Sequence, residues 1–351
     1  MKLEPQRITS ATTKVRRLGY FVLFSRILRE TPLPRLLLQN RIFKNEAENR
    51  KLLEEACREL RVRRTTSESV TGEIRTEDAF KRYLGTAIEL GLLQELSGRL
   101  YNTKRGEILS TLSNNDNPFK LNLEQSYLFL RILLDKDHDY LSAVIMCSIR
   151  NGAHEYLNFF DMVKKNWQQK LEKGNFRNFK VYDELRKAIN TKWRSPKRYY
   201  RDNIKGPRLE WLSDLKAIEL WNIKKNKVIF RENIEILLKN ENYSYSFATY
   251  MEPLIKGSIT YWKEIPWQKR DGLIERIVKQ SFILFKTSDA LPKISANQLL
   301  EYGLSILAAS GIVCTIEELD SAVERFIQSK LDRYRYVRII SDVDRGYISE
   351  L

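Results

Sequence analysis

The stretch TEDAFKRYLGTAIELGLLQELSGRLYNTKRGEILSTL, residues 76–112, decides the fold of the first third of the chain. Its periodicity changes twice. Over 77–90 the apolar positions Phe80, Tyr83, Leu84, Ala87 and Ile88 recur at steps of three and four, which predicts a helix. Thr76 suits its N-cap and Gly91 its C-terminal end. Residues 92–96 and 99–103 are short runs on either side of Ser97-Gly98, the pattern of a tight β-hairpin. Lys104-Arg105-Gly106-Glu107 then leads into a second short helix at Ile108 and Leu109.

Upstream, residues 14–30 read as a helix carrying Leu18, Val22, Ile27 and Leu28, and Thr31-Pro32-Leu33-Pro34 stops it. Residues 45–63 read as another, with Leu52, Leu53, Ala56 and Leu60 on one stripe, and 65–72 as a polar loop. Helix, Gly-Leu-Leu, hairpin and Asn-Thr-x-x-Gly-x-x-Leu in this order resemble the end of a winged-helix DNA-binding domain, over about residues 76–112. The resemblance implies a recognition helix at 76–90 whose Arg75, Lys81, Arg82 and Thr86 face a groove or phosphates. It also implies that Arg99, Lys104 and Arg105 sit on or beside the wing. The two-residue wing turn is short for a minor groove, which favours phosphate contacts or a protein-binding role.

Charge adds a second argument. The 351 residues carry 61 Lys and Arg against 45 Asp and Glu, a net +16, and 42% are apolar. The excess is uneven: net +8 over 1–113, −2 over 114–160, +12 over 161–270 and −2 over 271–351. A bias of this size points to a polyanionic partner. Within the second block, Lys192, Arg194, Lys197, Arg198, Tyr199, Arg201, Lys205 and Arg208 alternate with Trp193, Tyr200 and Trp211. Cations neutralise phosphates and aromatic faces stack on bases, so these residues are candidate nucleic-acid contacts. The competing reading is a solvated linker anchored by its aromatics.

Residues 208–220 then read as a helix and 222–230 as a hairpin around Lys224, Lys225 and Lys227, followed by a short helix at 232–238. The plan repeats that of 76–112, and both helices contain Ala-Ile-Glu-Leu, at 87–90 and 217–220. A second, divergent winged helix is therefore expected over 208–238. Between the two basic blocks, 122–172 reads as helical, with a polar turn at 135–139 and Asp139 capping the helix that follows. Alternating acids there resemble a calcium loop, but Tyr140 and Met146 occupy the positions that need Gly and Glu. In the last third, Ser295 with Gln298 and Thr315 with Glu318 read as capping boxes, and 333–348 as a terminal hairpin.

Several chemistries lack their signatures. There is no Walker phosphate loop and no Gly-x-Gly. The two histidines, His138 and His154, sit in no ligand pattern, and no Glu-x-Lys occurs for a restriction-type nuclease. Cys57, Cys147 and Cys314 are widely spaced and odd in number, which suits a reducing compartment. No signal core or membrane-length apolar run is found.

The expected fold is thus mainly α: multi-helical, with one or two winged-helix modules and short β-hairpins. Four regions are expected: 1–115 with the first winged helix, 116–190 as a helical link, 191–245 with the basic segment and possible second winged helix, and 246–351 as a helical region ending in a hairpin. The expected function is cytoplasmic binding of nucleic acid, DNA before RNA, by a protein that is not an enzyme and needs no cofactor or metal. Its C-terminal region would contact other subunits. By architectural analogy it would be a regulator or the DNA-binding subunit of a bacterial, phage-defence type of assembly. The alternatives are a protein-interaction scaffold and a cryptic metal-dependent nuclease.

Overall fold

The computed structural model describes residues 8–10, 14–59, 73–112, 116–150, 183, 187, 206–216, 218–221, 227–230, 260–288, 290, 292–339 and 345–351. Its centre of gravity is α1 (Gly19–Glu30), in which Tyr20, Phe21, Val22, Leu23, Phe24, Ile27 and Leu28 are all buried. Burial on all sides marks a core helix rather than an amphipathic surface one. Gly19 makes this possible at its entry: a Cβ there would lie 2.6 Å from the Phe119 carbonyl oxygen. Rings of Tyr20, Phe21, Phe24, Phe80, Tyr83, Phe119 and Phe129 pack around it at centroid distances of 5.1–6.4 Å.

Around this core run β1 (Leu33–Pro34), α2 (Arg35–Glu48), α3 (Arg50–Glu59), α4 (Glu77–Glu89), β2 (Leu93–Leu96), β3 (Arg99–Asn102) and α5 (Lys104–Thr111). The strands form an antiparallel sheet in the order β1-β3-β2, with Leu33 opposite Leu100 and Leu96 opposite Arg99. The expected helix over 14–30 starts only at Gly19, and that over 45–63 is replaced by two helices meeting at Asn49. The proline pair does stop α1, but Leu33-Pro34 goes on to pair with β3 at the sheet edge, the place where a proline is tolerated.

The link from α4 to α5 shows why the sequence there is so legible. Thr76 Oγ1 accepts from Ala79 N at 3.2 Å, and Gly91 takes φ +70° while Leu92 N donates to Ala87 O at 2.9 Å. Ser97 and Gly98 both take positive φ, 50° and 73°, the hand that matches the twist of a two-residue hairpin. Asn102 Nδ2 donates to Ser25 O at 2.7 Å, and Thr103 Oγ1 donates back to the carbonyl of Leu92 while capping Gly106 N. Gly106 packs so closely that a Cβ would fall 2.2 Å from Leu92 O.

The long helical stretch α6 (Leu123–Arg150) follows, and it is interrupted by non-helical backbone at Asp137 (φ −129°, ψ 20°), so the expected break within 135–139 is present as a kink joining two helical halves. α7 (Gly206–Asp214) is buried from Pro207 to Asp214 and is followed by β4 (Ile218–Trp221) and β5 (Lys227–Phe230), an antiparallel pair. The helix expected over 208–220 therefore ends early, where Lys216 takes φ 58°. Ile88 and Glu89 end helix α4 with Leu90 as its C-cap, whereas Ile218, Glu219 and Leu220 are strand, so the shared tetrapeptide does not mark equivalent positions. The expected helix at 232–238 lies outside the described residues.

The C-terminal part comprises β6 (Thr260–Tyr261), a 3-10 turn (Trp262–Glu264), α8 (Trp267–Phe285), β7 (Lys293–Ser295), α9 (Ala296–Ala309), β8 (Ile312–Val313), α10 (Ile316–Gln328), β9 (Tyr334–Val337) and β10 (Tyr347–Glu350). α9 is its buried spine. The terminal hairpin forms as expected and is joined by β7 in the order β7-β10-β9. The capping box of Thr315 and Glu318 is complete. That of Ser295 and Gln298 is not: Ser295 makes no capping bond, and Gln298 Nε2 donates to Glu107 on α5 at 2.8 Å. The architecture is mainly α and multi-helical with short hairpins.

Candidate nucleic-acid interface

Helical spacing turns Ala79, Phe80, Tyr83, Leu84 and Ala87 of α4 into the core and leaves Glu77, Asp78, Lys81 and Arg82 exposed. The exposed cations have acids one turn away. Lys81 Nζ lies 2.6 Å from Glu77 and Arg82 Nε 3.7 Å from Asp78, whose other oxygen meets Lys14 at 2.6 Å. These side chains are 48–63% exposed, where such pairs contribute little and exchange readily for a stronger anion. The Lys14 contact holds the Asp78 carboxyl below its ordinary range. Arg75 turns back to Glu73.

The second half of this helix is covered by the chain's own N-terminal strap. Thr9 N donates to Glu89 at 2.6 Å, the hydroxyls of Ser10 and Thr86 lie 2.8 Å apart, and Arg16 N and Arg17 N donate to Tyr83 Oη at 3.0 and 2.9 Å. Thr86 is fully buried and donates to Arg82 O, so it faces no groove, contrary to expectation. A threonine in a helix reads the same on either face, and nothing local marks which residues a distant strap will cover.

The strap is anchored in turn by α7. Arg17 donates to Asp214 at 2.6 Å and to Glu210 at 2.8 Å, Leu18 N donates to Asp214 at 2.7 Å, and Trp211 Nε1 donates to Val15 O at 3.0 Å. Burial pushes Asp214 up to about 7 against the pull of Arg17, while Arg17, facing two carboxylates, is held more firmly protonated than usual.

Two residues expected on the contact surface are instead structural. Arg208 is 1% exposed and makes a bidentate pair with Asp137, under the ring of Tyr140. Arg105 reaches inward from α5 to Glu301 of α9 and Asp135 of α6, each at 2.8 Å. A basic residue looks the same in sequence whether it meets a phosphate or a buried carboxylate. Arg99 at the hairpin turn and Lys104 at the start of α5 are exposed, and neither makes an ion pair among the described residues. Lys227 begins β5 opposite Trp221. Lys192, Arg194, Lys197, Arg198, Tyr199, Arg201, Lys205, Lys224 and Lys225 lie outside the described residues.

Beside the hairpin, Arg35 bonds Glu95, and Leu36, Leu37 and Leu96 are exposed by 50–66%. Among the described residues no three His, Cys, Asp or Glu side chains group as metal ligands, and no helix is long and apolar enough to cross a membrane.

No family model matches the chain, and no curated protein does. Among solved structures it is similar to one described as restriction endonuclease FokI, at 12% identity and a TM-score of 0.34. The match covers 97% of this chain and 62% of that one, so the chain spans less than two thirds of the matched protein's length. Because the matched protein is an endonuclease, the expectation that this chain is not an enzyme is withdrawn. At that TM-score the likeness carries no argument for any particular fold or activity.

Proposed function

We propose that the chain binds nucleic acid, and that its first module works as a winged helix gripping phosphates rather than reading bases. The observation that carries this is the placement of Arg99 and Lys104. The hairpin and the first turn of α5 hold both cations in solvent, without an ion-pair partner among the described residues. Most of the other cations of the module are matched by acids. Acidic Glu77 and Asp78 at the start of α4, and the strap over its end, work against insertion of that helix into a major groove, which leaves the hairpin edge as the contact. The net +12 of residues 161–270 would supply the remaining attraction to a polyanion.

The test is fluorescence polarisation with a labelled DNA duplex and an RNA of equal length, across a tenfold range of salt. Affinity should fall steeply with salt, and Arg99→Glu with Lys104→Glu should weaken binding at least tenfold and flatten the salt slope by about two. Binding that ignores both salt and these substitutions would overturn the proposal.

A second reading, a winged helix that binds protein, is favoured by the exposed Leu36, Leu37 and Leu96 around the Arg35–Glu95 pair. It predicts no salt-dependent capture of either nucleic acid.

A further inference from the structure

A groove of about 620 Å³ opens in the C-terminal part of the fold, between α8, the β6–β8 pair and the turn at Ser310. Its apolar floor is Ile265, Pro266, Leu273 and Ile312, and its polar rim includes Lys269, Arg276 and Thr260. Among the described residues neither Lys269 nor Arg276 makes an ion pair, although most exposed cations elsewhere in the described structure do. Glu264 stands at the rim, but one of its oxygens already accepts from Tyr261 N at 3.1 Å.

Gly272 lies between the two cations on the same face of α8. Lys269 is three residues before it and Arg276 four after, so all three line one stripe. After proline, glycine is the least favourable residue inside a helix. Here the fold gives no reason for it, because a Cβ on Gly272 would meet nothing within 4 Å. Gly19 and Gly106 are excused by backbone that would collide with a side chain; Gly272 is not. A bare backbone between two unneutralised cations is the arrangement that admits an oxyanion close to a helix surface.

The wall facing this stripe is held rigid. Arg270 donates to the carbonyls of Ile265 and Lys263, each at 2.6 Å, and its guanidinium lies 5.6 Å from the Trp262 ring centre and 4.9 Å from that of Trp267. This staple fixes the 262–266 turn in place, so the groove exists before any ligand enters and little ordering is lost on binding.

We propose that this groove is a second, separate binding site for a phosphate-bearing ligand, held by Lys269, Arg276 and the Thr260 hydroxyl across Gly272. The phosphate comes from a free nucleotide or from the backbone of a nucleic acid. The site does not depend on the reading of the hairpin edge.

The experiment is calorimetric titration of the full chain with tripolyphosphate, with ATP and with a short single-stranded oligonucleotide. Each is repeated on Lys269→Ala with Arg276→Ala, on Gly272→Leu and on Arg99→Glu with Lys104→Glu. Binding of tripolyphosphate or ATP that drops at least tenfold in both groove variants, with melting temperature retained, identifies a free phosphate compound. Oligonucleotide binding that drops in the groove variants, without binding of the small anions, identifies the backbone. If the wild type takes up none of the three, or the groove variants bind as it does, the proposal is overturned. Loss confined to the Arg99 and Lys104 variant would leave the hairpin reading standing and sink this one.

Discussion

Arg208 and Asp137 meet as a buried bidentate pair at the kink of α6, and the same carboxylate also accepts from Ile8 N at 2.9 Å. One aspartate thus joins the N-terminal strap, the long helix and α7. An ion pair with this little solvent owes its worth to complete partnering, because either charge alone in that position is costly. Arg208→Ala is expected to lower unfolding free energy by about 3–5 kcal/mol, since it strands Asp137. Arg208→Met with Asp137→Leu should cost much less than the single change. Urea denaturation of the three variants checks the ordering, and a neutral Arg208→Ala would show that the pair does not hold the fold.

Two glycines should respond to alanine with opposite signs. Gly106→Ala places a methyl 2.2 Å from Leu92 O, a backbone atom that cannot move without disturbing the hairpin. Overpacking of this kind costs about 1–3 kcal/mol. Gly272→Ala meets nothing and should stabilise by about 0.5–1 kcal/mol through helix propensity. Thermal melts of both proteins measure the difference directly, and equal shifts would contradict it.

The strap junction should make stability depend on pH. Burial raises Asp214 to about 7 in the folded chain, against 3.8 as its ordinary value. The folded state therefore binds this proton more tightly than the unfolded state does. The resulting stabilisation is full below about pH 4 and is lost as pH rises through 7. Over that window Asp214→Asn, which cannot titrate, should show a flatter dependence of the urea midpoint than the wild type. A wild-type midpoint that rises between pH 5 and 8 by more than that of the variant would refute the sign.

How much of this was legible depends on the range of the forces involved. The link Gly91, Ser97-Gly98, Asn102-Thr103-x-x-Gly106 could be read because each residue answers a local demand: a positive φ, a cap, a close approach. The box at Thr315 was equally local. The box at Ser295 failed because Gln298 found a partner 191 residues away on α5. Arg105, Arg208 and Thr86 were misjudged for the same reason, since their partners Glu301, Asp137 and Ser10 are distant in sequence. Ile-Glu-Leu at 218–220 became a strand because pairing with β5 outweighed the propensity of three residues. Gly272 could have been noticed from sequence alone, as a glycine between Lys269 and Arg276 within a helical pattern.

The acids of α4 provide a test in the direction of gain. Glu77 and Asp78 engage Lys81 and Arg82 at the surface and repel any approaching phosphate. Glu77→Gln with Asp78→Asn would leave both cations in place and remove two negative charges from the exposed face of α4. If that face meets nucleic acid, affinity at moderate salt should rise severalfold and the salt slope should steepen, because more cations then displace counterions. The helix would lose some stability with each acid removed from its positive end, so the gain must be read well below the melting temperature. Unchanged affinity and slope would place the contact elsewhere, away from α4.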